Sequence, residues 1–80
     1  MITPFLRLPA VMNATGLSRA TVYLRIKQGL MTVPVKLGER AIAWPADEIS
    51  TINAARTAGK TSDEIRAIVS KLEQHRSSMA

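Results

Sequence analysis

Short apolar stripes separated by glycine and proline divide the chain into a lead-in, four segments of helical period and one of period two. Thr3 to Leu8 reads as an extended lead-in, and Pro9 suits the first turn of a helix, where its missing N–H costs nothing. Val11 and Met12 are that helix's expected buried positions, Asn13-Ala14-Thr15 its last turn, and Gly16 its stop. Leu17 is apolar within the corner and fits between two helices. Ser18 is a good N-cap for a second helix from Arg19 to Gln28, closed by Gly29, with Val22 and Ile26 as its buried stripe. The spacing predicts a helix-turn-helix.

The period then changes to two. Val35-Lys36-Leu37 alternates, Gly38-Glu39 fits a two-residue turn, and Arg40-Ala41-Ile42-Ala43-Trp44 reads as a return strand. In that pairing Val35 and Leu37 share one face, as do Ile42 and Trp44, so both sets are expected to face a core. Pro34 is tolerated at a strand start. A basic hairpin directly after a helix-turn-helix is a wing.

Helical spacing resumes at Pro45. Asp47 and Glu48 fall in a first turn, where the helix dipole favours negative charge; Ile49, Ile52 and Ala55 form the apolar side, and Gly59 ends the helix. Thr61-x-x-Glu64 is a capping box for a last helix to about Arg76, followed by a tail, Ser77 to Ala80, expected to fray. Its stripe of Ile65, Ile68, Val69 and Leu72 has two readings. It packs back onto its own domain, or it forms a surface for a second copy or a protein partner. The expected fold is mainly α with a small β-hairpin: a winged helix-turn-helix plus a C-terminal helix. Residues 1–59 are expected to form the DNA-binding domain, and residues 60–80 the amphipathic helix and tail.

Charge adds direction to this fold. The net charge of the 80 residues is +5, unevenly placed. Residues 1–46 carry Arg7, Arg19, Arg25, Lys27, Lys36 and Arg40 against Glu39 alone, whereas residues 47–80 carry five charges of each sign. A basic half beside a neutral half suggests a polyanion-binding face backed by a scaffold. Composition is otherwise that of an ordinary globular chain, 46 % hydrophobic and without cysteine, which is compatible with a reducing cytoplasm. No secretory signal or membrane span is expected.

The candidate DNA-binding residues are Ser18, Arg19, Thr21, Tyr23, Arg25, Lys27, Lys36 and Arg40. At 100° per residue, Thr21 and Lys27 point away from the Val22/Ile26 stripe, while Arg19, Tyr23 and Arg25 flank it. A capped helix N-terminus bearing Ser18 and Arg19 can meet a phosphate or a base edge, and arginine pairs with guanine through two bonds. Ser18, Arg19, Thr21 and Arg25 are therefore expected to read sequence. Lys27, Lys36 and Arg40 are expected to hold the backbone. Tyr23 has two readings, a sugar or phosphate contact and a cover for the edge of the core. Trp44, where the wing rejoins the body, is expected in the core.

No catalytic site assembles from these residues. His75, the single histidine, lies near the fraying terminus, and there is no glycine-rich phosphate loop and no nucleophile–base set. No metal, cofactor or small-molecule substrate is expected. With three aromatic residues, stacking platforms for single-stranded RNA are missing.

The run Thr15-Gly16-Leu17-Ser18-Arg19-Ala20-Thr21-Val22-Tyr23, then Ile26-Lys27-Gln28-Gly29, Pro34-Val35-Lys36-Leu37-Gly38 and Arg40-Ala41-Ile42-Ala43-Trp44, closely resembles the AlpA family. These are small prophage-encoded DNA-binding regulators related to phage excisionases and to MerR-type winged-helix modules. The resemblance covers about Leu6 to Ile49. It implies a recognition helix in the major groove, a wing on the minor groove, and a cytoplasmic, nucleoid-associated regulator that activates integrase or excision genes. Two alternatives stand beside this: an architectural excisionase that shapes DNA, and an adaptor or antirepressor working through the C-terminal helix. The chain departs from the family pattern at three places. Met31-Thr32 replaces the usual Phe-Pro, Leu24 stands where arginine is frequent, and Ile52 where tryptophan is common.

Overall fold

A computed structural model describes residues 4–78; the expectations for Thr3 and for Met79-Ala80 lie outside them. Phe5–Leu6 forms a short strand, β1, followed by helix α1, Leu8–Thr15, with Pro9 in its first turn. Gly16 ends α1 at φ +72°, donating its N–H to the Met12 carbonyl at 2.8 Å. A side chain there would be strained in the left-handed region, which explains the glycine. After the three-residue corner comes α2, Arg19–Lys27, capped by Gln28, then β2, Val35–Lys36, and β3, Ile42–Pro45. Helices α3, Ala46–Thr57, and α4, Ser62–Ser78, complete the chain. The protein is thus mostly helical, with a three-stranded antiparallel sheet in the order β1-β3-β2. Among the described residues no helix is long and apolar enough to cross a membrane.

The wing differs from its expected form, and the cause is one residue of turn. Val35 pairs with Ala43 and Lys36 with Ile42, and the Leu37 N–H donates to the Ala41 carbonyl at 2.7 Å. Gly38, Glu39 and Arg40 therefore make a three-residue turn, not a two-residue one. A shift of one residue exchanges the faces of a strand. Val35 consequently shares a face with Ala43 and Pro45 instead of with Ile42 and Trp44, and Leu37 is 46 % exposed instead of in the core. Arg40 belongs to the turn, not to the return strand. Pro45 closes β3 and stands as the N-cap of α3, which begins at Ala46, one residue after the expected start at Pro45. The strand β1 lay within the expected extended lead-in; it pairs Phe5 with Pro45 and Leu6 with Trp44.

The core unites all four helices. Val11, Val22, Leu30, Met31, Trp44, Ile49, Ile52, Ala55, Ile65 and Val69 form one buried cluster. Trp44 is fully buried, and its indole N–H donates to the Thr32 carbonyl at 2.8 Å, tying β3 to the segment that leads into the wing. Met31 and Thr32, where the family usually shows Phe-Pro, are both buried. Ile65 and Val69 are buried in this same cluster, and Ile68 and Leu72 pack against it. The stripe expected as an optional partner surface is thus consumed by the domain's own core, because α4 packs on α3.

Polar contacts fix α4 further. Arg66 donates from Nε to the Gln28 carbonyl at 2.8 Å, at the end of α2. Glu73 accepts the Val33 N–H at 2.9 Å, and Arg76 donates to the Val33 carbonyl at 2.8 Å. Arg76 also grips Glu48, with Nε 2.7 Å from Oε2. Glu48, placed by its sequence position in the first turn of α3, is only 4 % exposed. These bonds to Glu48 raise the Arg76 pKa above its ordinary value against the opposing effect of burial.

At the other end of α4 the capping box forms in both directions. The Thr61 N–H donates to Glu64 Oε1 at 2.9 Å, and the Glu64 N–H to Thr61 Oγ1 at 3.2 Å. The Thr61 backbone bond first, then its hydroxyl, holds the Glu64 carboxyl below its ordinary 4.5. A depressed carboxyl pKa contributes stability that is present above the unfolded value and lost as the pH falls through the folded one. Melting temperature is therefore expected to fall on acidification below about pH 4.5 more steeply in the wild type than in Glu64→Gln. Circular dichroism melts across that range check it; parallel curves would remove Glu64 from the acid response.

Candidate nucleic-acid interface

Ser18 opens α2 in extended conformation, and its Oγ accepts the Thr21 N–H at 3.3 Å. The two hydroxyls also bond each other at 2.9 Å. Each hydroxyl carries one proton, so the pair keeps a single O–H free for another partner. Ser18 and Thr21 are thus first of all the cap that fixes where α2 begins. Outward from the Val22/Ile26 stripe, Ala20, Leu24 and Lys27 are exposed, Leu24 by 50 %.

The sequence-derived candidates divide between two sides of α2. On the wing side, Arg19 and Tyr23 line a shallow groove of about 420 Å³ together with Arg40 and Ile42. Arg7 and Pro9 line it from the start of α1. Lys36 pairs with Ile42 in the sheet and does not itself line the groove. Three segments distant in sequence (the approach to α1, the first turns of α2 and the turn of the wing) thereby bring Arg7, Arg19 and Arg40 around Tyr23. Tyr23 is 40 % exposed, at the rim and outside the core. On the far side of α2, Arg25 lines a second cleft, between α1 and α3, that also contains Arg56. Lys27 lines neither.

Arg7 and Arg56 were not among the expected site residues. Arg7 precedes the helix-turn-helix motif and Arg56 ends a helix whose local pattern speaks only of packing. A surplus of cations over the whole of residues 1–46 was the available signal for Arg7; nothing local marked Arg56.

Among the described residues all ion pairs lie between positions 48 and 76: Lys60 with Glu64, Arg66 with Asp63, and Arg76 with Glu48. None of the six cations of residues 1–46 takes part in one. Among the described residues the cations of the basic half of the sequence are thus left without ion-pair partners.

A helix-turn-helix, a hairpin wing packed behind it through Trp44, and a closing helix define a winged helix-turn-helix protein. The chain belongs to the AlpA family, whose model, the prophage CP4-57 regulatory protein (AlpA), matches residues 4–56. This is a prophage regulatory family. The uncharacterized protein ORF88 of Enterobacteria phage P4 is 43 % identical over 56 residues, covering 70 % of this chain and 64 % of that protein. The chain thus spans less than two thirds of this relative's length. No solved structure matches.

Proposed function

We propose that the chain binds double-stranded DNA sequence-specifically and regulates transcription from a prophage or related mobile element. In this arrangement α2 lies in the major groove and the wing, Gly38 to Arg40, on the adjacent minor groove. The observation that carries the proposal is the set of cations on both flanks of a capped, outward-facing helix that form no ion pair among the described residues. Arg19 and Arg25 pair with base edges or phosphates, and the Ser18/Thr21 pair offers its remaining O–H. Ala20 and Leu24 supply an apolar strip on the outermost line of α2, suited to thymine methyl groups. Arg7, Lys27, Lys36 and Arg40 neutralise phosphates. The family's regulatory character supports the biological setting.

Contact with about four phosphates is expected to make affinity fall roughly a hundredfold between 50 and 200 mM salt. Fluorescence anisotropy on a duplex from the region flanking the gene, titrated across that range, measures it. Affinity that does not change with salt would overturn the assignment of these cations to the DNA backbone.

A further inference from the structure

The cleft on the far side of α2 is not explained by the wing-side groove. It holds about 410 Å³ and is walled by Leu17, Leu30 and Ile52, with Arg25 entering from α2 and Arg56 from the last turn of α3. Among the described residues lining it none is acidic. Its neutral polar side chains are already engaged: Asn53 donates to the Ala14 carbonyl, Thr57 to the Asn53 carbonyl, and Thr15 to the Val11 carbonyl. The two guanidiniums are left as the only charges, near enough to oppose each other. Desolvation at the cleft wall first, and then the Arg25 charge, lower the Arg56 pKa. Two like charges held at one cleft with no carboxylate between them are stabilised by an anion that bridges them, and arginine's fork suits a phosphate above other anions.

A helix about 10–12 Å across fills a major groove about 12 Å wide, so both of its flanks face a sugar–phosphate backbone. The wing-side cations meet one strand. The geometry points to Arg25 and Arg56 as a two-arginine seat for a backbone phosphate of the other strand, making the end of α3 part of the DNA interface. This rests on the DNA-binding reading and adds to it a contact outside the helix-turn-helix and the wing.

The test compares Arg56→Gln with the wild type on one duplex across 50–200 mM salt. Arg56 is exposed and makes no ion pair among the described residues, so the variant is expected to melt no lower than the wild type. Affinity should fall about tenfold on specific and unrelated duplexes alike, and the log–log salt slope should become shallower by about one. Arg56→Lys, which keeps the charge, should retain the slope. A wild-type slope and affinity in Arg56→Gln would overturn the seat, while DNA binding by the wild type would leave the broader reading standing. If the wild type itself binds no duplex, both fall together.

Discussion

Replacing Arg19 and Arg40 together by alanine is expected to weaken duplex binding about a hundredfold while leaving the melting temperature unchanged. The two guanidiniums come from the first turn of α2 and the turn of the wing, and they line one groove. Both are exposed, and neither takes part in an ion pair among the described residues. Their removal therefore costs the folded state little, since surface substitutions away from specific contacts stay within about 0.5 kcal/mol. Each contact to a base edge or phosphate contributes roughly 1–3 kcal/mol, and about 1.4 kcal/mol apiece already gives two factors of ten. Anisotropy at fixed salt, beside a thermal melt of the same samples, checks both halves. The salt slope should also become shallower, by up to about two if both residues hold phosphates. A loss smaller than threefold would remove the groove from the interface. A lowered melting temperature would instead give these arginines a structural role.

The same groove shows which features can be read from sequence and which cannot. The corner at Gly16, the cap at Ser18 and the box at Thr61 and Glu64 depend on residues within four positions of each other, and all three formed as their spacing indicates. The apolar side of α3 was equally legible, because Ile49, Ile52 and Ala55 keep helical spacing and end buried. The wing's existence was legible and its register was not. Gly38-Glu39 and Gly38-Glu39-Arg40 are both acceptable turns, and the choice between them moves Val35 and Leu37 together from the face of Ile42 and Trp44 to the other face. The strand β1 has two residues, too few to show any period. The partner of Glu48 lies 28 residues away, and no local rule selects it.

Packing of α4 also alters what the C-terminal segment is for. An amphipathic helix is compatible with a docking surface and with a structural strap, the strap being the commoner outcome. Burial of Ile65 and Val69 beside Trp44 and Val11 decides for the strap. The polar bonds then show what is strapped. Arg66 holds the end of α2, and Glu73 and Arg76 hold Val33, which leads into β2. The end of α2 and the segment leading into the wing are set against each other partly by α4.

Arg76→Ala tests that arrangement with the largest expected effect on stability. Glu48 is 4 % exposed, so removing its partner leaves a carboxylate buried without compensation, a change that costs about 3–5 kcal/mol. A chain of 80 residues at about 0.05–0.15 kcal/mol per residue has only roughly 4–12 kcal/mol in total. The variant should therefore melt at least about 12 °C lower, with Val33's carbonyl also losing its donor. Adding Glu48→Gln to Arg76→Ala should restore part of the loss, because an amide carries no charge to leave unpaired. Circular dichroism melts of the two variants beside the wild type decide it. A change below about 1 kcal/mol in Arg76→Ala would show that Glu48 reaches water. Where the variant is still folded, its salt slope on DNA should equal the wild type's, since the Arg76 charge is spent on Glu48 and Val33 and not on phosphate.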